Sequence, residues 1–108
     1  VFTSLYESFG QPLLEAAAAG LPIISTPVGV ANELVFDNQT GFLVDLASTE
    51  ARGDSAAKEI ANKISLLKEK KTRDEFGRNI QKLVRAHFSW DTIIEKYHSL
   101  YFELLKID

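Results

Sequence analysis

Three short apolar runs, each followed by a turn-rich stretch, open the chain: V-F-T-S at Val1–Ser4, L-P-I-I-S-T at Leu21–Thr26 and F-L-V at Phe42–Val44. The second run does not alternate and contains two isoleucines, the pattern of a strand buried on both faces. Between the first two runs, Pro12 suits the first turn of a helix, where its missing N–H costs nothing. Leu13, Leu14 and Ala16–Ala18 continue that helix, and Gly20 suits its C-terminal cap. Pro27–Gly29 predicts a turn, Val30–Val35 a short helix and D-N-Q-T-G at Asp37–Gly41 a second turn. The order β-α-β-α-β with short links implies a parallel sheet flanked by helices.

From residue 54 onward the apolar spacing becomes helical. Asp54 or Ser55 is the expected cap of a helix whose buried face is Ala57, Ile60, Ala61, Ile64 and Leu67. Thr72 followed by Glu75 resembles a capping box for a helix that buries Phe76, Ile80, Leu83 and Val84. Ser89 or Asp91 opens the last helix, with a broad stripe of Ile93, Ile94, Tyr97, Leu100, Tyr101, Leu104 and Leu105. So wide an apolar face predicts more than one neighbour. Three short strands make a thin sheet for this many helices, and the chain opens inside an apolar strand. Both points lead to the expectation of further strands upstream of Val1, in a longer protein.

Composition narrows the function classes. At 108 residues with 45% hydrophobic side chains, one domain with a buried core is expected, not disorder. The net charge of −3 argues against nucleic-acid binding, which needs a basic face. No cysteine occurs, so there is neither a disulfide framework nor thiolate chemistry, as fits a cytoplasmic protein. His87 and His98 carry no accompanying ligand pattern, and no metal site is expected. Lys68, Lys70, Lys71 and Arg73 read as solvated surface, with a weak peripheral contact to an anionic membrane or lipid-linked acceptor as the alternative.

The candidate chemistry lies in Y-E-S-F-G-Q-P-L-L-E, where Glu7 and Glu15 flank a glycine turn and a proline. Eight helical steps would leave the two acids roughly 80° and about 12 Å apart. Pro12, however, starts the helix after Glu7. Glu7 is then a loop acid at the strand's end, and Glu15 a helix acid in the first turn. Between them lie the amides of Ser8, Phe9, Gly10 and Gln11, at the positive N-terminus of the helix. In parallel α/β sheets ligands bind beyond the carboxyl ends of the strands, and the amides of Phe9, Gly10 and Gln11 suit a phosphate. Two carboxylates would repel a diphosphate unless they face something neutral and rich in donors, and vicinal sugar hydroxyls fit. The combination describes a nucleotide sugar. The alternative is plainer: Glu15 complements the helix dipole and Glu7 is solvated.

E-S-F-G-Q-P-L-L-E-A-A-A-A-G-L-P-I-I-S-T-P-V-G-V-A-N-E-L-V resembles the signature of the retaining glycosyltransferases of family 4, the "group 1" family with the GT-B fold. That family carries an E-x7-E motif, here Glu7 and Glu15. A small-residue helix, G-x-P at Gly20–Pro22, an apolar strand at Ile23–Thr26, and a glycine loop with a following glutamate at Gly29 and Glu33 then match it. N-Q-T-G-F-L-V and H-F-S-W (His87–Trp90) resemble later parts of the same pattern. The resemblance covers nearly the whole chain and is specific over residues 3–44.

The resemblance implies an α/β fold, a partial Rossmann-like parallel sheet of about three short strands flanked by helices, forming the C-terminal portion of a GT-B donor domain. Residues 1–87 would be the second half of the nucleotide-sugar-binding domain and 88–108 a C-terminal helix crossing towards an N-terminal domain. Glu7 would contact donor-sugar hydroxyls, and the Ser8–Gln11 backbone would meet sugar or phosphate oxygens. Glu15 would hold the ribose hydroxyls. The donor would be a nucleotide diphosphate sugar, with no further cofactor and no metal. The acceptor, a sugar or lipid-linked sugar, would bind through an N-terminal domain absent from these residues. The family's phosphate-binding Arg and Lys also lie upstream of the first glutamate, so the 108 residues alone are expected to be inactive. Ser8 and Val30 stand where members often have glycine, and Val30 is expected to narrow the loop near the donor. Glu33 is read as structural. Trp90, Tyr97 and Tyr101 are expected to serve packing. Two alternatives are a stand-alone nucleotide- or sugar-binding module, and a structural α/β partner domain without catalysis.

Overall fold

A computed structural model of the protein describes residues 1–46 and 54–106. Helix α1 spans Gln11–Ala18, strand β1 Ile23–Ser25, helix α2 Ala31–Leu34 and strand β2 Gly41–Leu43. Helices α3 (Asp54–Leu66), α4 (Lys70–His87) and α5 (Trp90–Leu105) follow. β1 and β2 pair in parallel, with Ile23 opposite Gly41, Ile24 opposite Phe42 and Ser25 opposite Leu43. On the other side of β1, Phe2 forms a single parallel bridge to Ser25. Its N–H donates to the Ile24 carbonyl at 2.8 Å, and its carbonyl accepts from the Thr26 N–H at 3.0 Å. The expected strand at Val1–Ser4 is thus reduced to one ladder residue. By Ser4 the backbone has left the ladder, and the Ser4 carbonyl accepts instead from the Thr26 hydroxyl.

β1 is buried throughout, because Ile23 and Ile24 serve opposite faces of the sheet. Ile23 joins Leu13, Ala17, Val30, Leu34, Ile80 and Val84, contributed by α1, α2 and α4. Ile24 joins Phe42, Val44 and Phe76, with Ile60 and Leu67 packed against them. The second face is closed by the tilted Phe42 and Phe76 rings, 5.8 Å apart.

Local chemistry explains where the helices stop. Gly20 and Leu21 end α1, their N–H groups donating to the Ala17 and Ala16 carbonyls at 3.0 Å each. That reciprocal pair is a Schellman motif around a left-handed glycine. Gly77 lets α4 cross the same corner, since a Cβ there would lie 2.1 Å from the Gly20 carbonyl oxygen. Ser89 caps α5, its hydroxyl accepting from the Thr92 N–H at 3.2 Å.

Three sequence expectations are corrected. In α3 and the residue after it the inward side chains are Ala56, Ile60 and Leu67, whereas Ala57, Ala61 and Ile64 are exposed. Lys63 completes the inward face, its ammonium 4.7 Å from the centre of the Phe42 ring. Asp54 is the first helical residue of α3, and the position before it lies outside the described residues. Helix α4 starts at Lys70, so Thr72 is its third residue and not its cap, and the Thr72 hydroxyl donates back to Glu69 at 2.8 Å. The lysine–arginine cluster, by contrast, is exposed as expected, and it borders the α3–α4 turn: the Arg73 guanidinium donates to the Leu67 and Lys68 carbonyls, and Lys70 pairs with Asp74.

α5 has no buried residue. It meets α4 near its start, where the Thr92 hydroxyl reaches the Ala86 carbonyl at 3.4 Å. Beyond that its stripe stays open, with Trp90 78% and Leu104 68% exposed, and the Tyr97 and Tyr101 rings tilt against each other with centroids 6.3 Å apart. The radius of gyration, 16.7 Å, exceeds the roughly 13 Å expected of a compact chain this long. No helix among the described residues is long and apolar enough to cross a membrane.

Candidate functional site

Parallel pairing sends Phe2 and β1 in the same direction, so the segments that follow them emerge at one edge of the sheet. These are residues 4–10, leading into α1, and residues 26–30, leading into α2. They are bound to each other at both ends. Near the sheet, Thr26 donates its N–H to the Phe2 carbonyl and its hydroxyl to the Ser4 carbonyl. Further out, the Val30 N–H donates to the Phe9 carbonyl at 2.7 Å.

Gly29 makes the outer contact fit. It has a left-handed φ of 51°, and a Cβ there would lie 2.3 Å from the Phe9 carbonyl oxygen and 3.4 Å from the Glu7 Cβ. The loop after β1 therefore sits directly under Glu7 and Phe9. Val30 does not narrow this region as expected. Its side chain is 2% exposed and lies in the core with Leu13 and Leu34, pointing away from the loop surface.

Glu7 is half-buried, and one carboxylate oxygen accepts from the Ser4 hydroxyl at 3.2 Å. Ser8 and Gln11 are exposed and Phe9 is 43% exposed, while Gly10, with φ 88°, is buried at the foot of α1. Among the described residues the N–H groups of Ser8, Phe9, Gly10 and Gln11 donate to no acceptor. They lie where the partial positive charge of α1 is concentrated. Glu15 is exposed and is the fifth residue of α1, so the first turn holds no acid. This corrects its expected placement in the first turn. It also weakens the helix-dipole explanation, because that effect fades beyond the first turn.

The structure thus brings Glu7 and the four amides into one loop, with Glu15 one turn into the helix they precede. Carboxylates can accept from ligand hydroxyls, and unpaired amides can donate to anionic or neutral oxygens. Glu33 is exposed in the first turn of α2. His98 lies against Phe102 on α5, the two rings tilted with centroids 4.5 Å apart. Among the described residues no group of three His, Cys, Asp or Glu side chains is placed to hold a metal ion. Sequence reasoning missed Ser4 and Thr26. The Ser-x-x-Glu spacing could have signalled the first, but nothing local links Thr26 to a residue 22 positions earlier.

The parallel α/β scaffold that carries these residues is that of a sugar-transfer family. Residues 1–83 match the family model described as "Glycosyl transferases group 1", and the chain belongs to that family. It is similar to the N-acetyl-alpha-D-glucosaminyl L-malate synthase of Bacillus anthracis, 33% identical over 94% of this chain and 25% of that protein. It is also similar to the capsular polysaccharide biosynthesis glycosyltransferase CapM of Staphylococcus aureus, 36% identical over 98% of this chain and 26% of that one. Among solved structures, the sucrose-phosphate synthase of Thermosynechococcus elongatus superposes with a TM-score of 0.77 at 31% identity, covering 97% of this chain and 25% of that one. That likeness shows the GT-B glycosyltransferase fold over this stretch. The chain spans about a quarter of the length of each of these relatives.

Proposed function

We propose that these residues form the donor-binding portion of a retaining glycosyltransferase that moves a sugar from a nucleotide diphosphate sugar to an acceptor. Residues 1–87 belong to the second half of the donor domain, and 88–108 are a C-terminal helix directed at the acceptor-binding domain. The observation that carries the reading is the row of four amides between Glu7 and Glu15 that have no acceptor among the described residues. In this assignment Glu7 accepts from donor-sugar hydroxyls, and the Ser8–Gln11 amides donate to sugar or phosphate oxygens. Glu15 accepts from the ribose hydroxyls. The positive end of α1 steadies charge that develops on the departing diphosphate, together with basic side chains outside the present residues. Neither glutamate acts as nucleophile or general base. The 108 residues alone turn over no donor.

Glu15 grips a part of the donor remote from the reacting bond, so its loss removes ground-state and transition-state binding alike. Glu15→Ala in the full-length enzyme should raise the donor KM with little change in kcat. Each charged hydrogen bond is worth about 1.5–3 kcal/mol, so kcat/KM should fall roughly 10- to 100-fold. Glu7→Ala should lower kcat as well. The anomeric configuration of the product, read by NMR, should equal that of the donor. An unchanged KM in Glu15→Ala, or an inverted product, contradicts the proposal.

A further inference from the structure

We infer that Ser4 and Thr26 are positioning residues for Glu7, so that the end of β1 sets the orientation of the sugar-contacting carboxylate. The inference rests on the donor-site reading above. Three observations carry it. The Ser4 hydroxyl donates to Glu7 Oε1 at 3.2 Å, which occupies one carboxylate oxygen and leaves the other for a ligand. The Ser4 carbonyl is held by the hydroxyl of Thr26, a residue only 4% exposed. The Thr26 hydroxyl sits on a fixed backbone, because its N–H donates to the Phe2 carbonyl within the sheet and its carbonyl accepts from the Ser25 hydroxyl at 2.8 Å. The path from the sheet to the acid is therefore Thr26 to the Ser4 backbone, and the Ser4 side chain to Glu7.

A half-buried glutamate with one oxygen tied has fewer rotamers than a free one, and immobilising a glutamate side chain is otherwise an entropic loss on binding. Ser4 makes that loss in advance. Gly29 lies beneath the Glu7 Cβ, where an added Cβ would come within 3.4 Å of it. Ser4 and Thr26 need touch no substrate to act in this way.

A double-mutant cycle in the full-length enzyme separates positioning from packing. The probes are UDP-N-acetylglucosamine, GDP-mannose and ADP-glucose, with affinities measured by calorimetry. The probe that the unaltered enzyme binds most tightly is carried through the variants. Ser4→Ala should weaken donor binding about tenfold, equivalent to about 1.4 kcal/mol, when Glu7 is present. It should weaken binding less than about twofold in a Glu7→Ala background, because there is no carboxylate left to orient. Thr26→Val should follow the same pattern, and Thr26→Ser, which keeps the hydroxyl, should restore binding. An equal loss from Ser4→Ala in both backgrounds overturns the inference and leaves the donor site standing. Failure of Glu7→Ala to weaken any probe, or no binding of any probe, overturns the donor-site reading itself and the inference with it. Should Ser4→Ala not fold, the contrast between Thr26→Val and Thr26→Ser across the same two backgrounds decides by the same criterion.

Discussion

Gly29 is where the architecture of the site can be tested most cleanly by one methyl group. Gly29→Ala asks an L-residue to hold φ 51°, which costs about 1–2 kcal/mol. The new Cβ would also stand 2.3 Å from the Phe9 carbonyl oxygen, so the two loops must part. Parting them weakens the 2.7 Å bond from the Val30 N–H to that oxygen, worth about 0.5–1.5 kcal/mol net. The sum is a loss of about 1.5–3.5 kcal/mol, a large share of a small domain's stability. Gly20→Ala is the internal control. Its φ is 76°, but the nearest atoms to an added Cβ are 3.7 Å away, at ordinary contact. It should therefore cost the conformational strain alone, about 1–2 kcal/mol. Urea unfolding of both variants, with unchanged m-values, should show Gly29→Ala less stable than Gly20→Ala by about 0.5–1.5 kcal/mol. Gly29→Ala should also lower donor affinity, because the shifted Phe9 carbonyl carries the Gly10 amide with it. Equal losses in the two variants, or a Gly29→Ala protein as stable as the parent, would refute the proposed close approach.

Further expectations follow from the packing and the charges. Gly77→Ala would ordinarily favour a helix by about 1 kcal/mol, but here the Cβ would meet the Gly20 carbonyl at 2.1 Å, so urea unfolding should show a net loss. Ile80, fully buried where α1, α2 and α4 meet, should cost about 2–5 kcal/mol as Ile80→Ala in the same assay. The Thr40 hydroxyl, which accepts from the Phe36 N–H and donates to the Leu34 carbonyl, both at 2.8 Å, should cost about 1–3 kcal/mol as Thr40→Val. The hydrogen bond from Lys70, aided by its charge, holds the Asp74 carboxyl below its ordinary value of 3.8. That contribution is present above the unfolded pKa and is lost as pH falls through the lower folded one. The stability gap between the parent and Asp74→Asn should therefore narrow below pH 4 and shrink with added salt, a test for pH-dependent unfolding.

Much of this architecture is legible in the residue pattern, and the exceptions have physical causes. Pro12 and Gly20 mark α1 because each suits one end of a helix and no interior position. Ile23 and Ile24 mark a doubly buried strand because two successive apolar residues face opposite sides of a sheet. The inward face of α3 is hidden by Lys63, whose charge disguises a residue lying over Phe42. Small Ala57 and Ala61 compete for the same face in the pattern, yet both are exposed. Thr72 and Glu75 have capping-box spacing, but α4 already begins at Lys70, and the Thr72 hydroxyl serves Glu69 instead. The stripe on α5 is plain in the sequence, yet it stays exposed among the described residues. At the site, Glu7, Glu15 and the glycine between them stand out locally. The clamp from Thr26 to Ser4 and the seat of Gly29 under Phe9 arise only when two separate loops meet.

The central claim is that the Ser8–Gln11 backbone between two acids binds a nucleotide sugar. Its most direct test is an NMR titration of the full-length protein with UDP-, GDP- and ADP-sugars, following the backbone amides. The account predicts saturable shifts at Ser8, Phe9, Gly10 and Gln11 with at least one of these donors, and their loss in the Glu7→Ala, Glu15→Ala double variant. Silence of those four amides at saturating donor would contradict it.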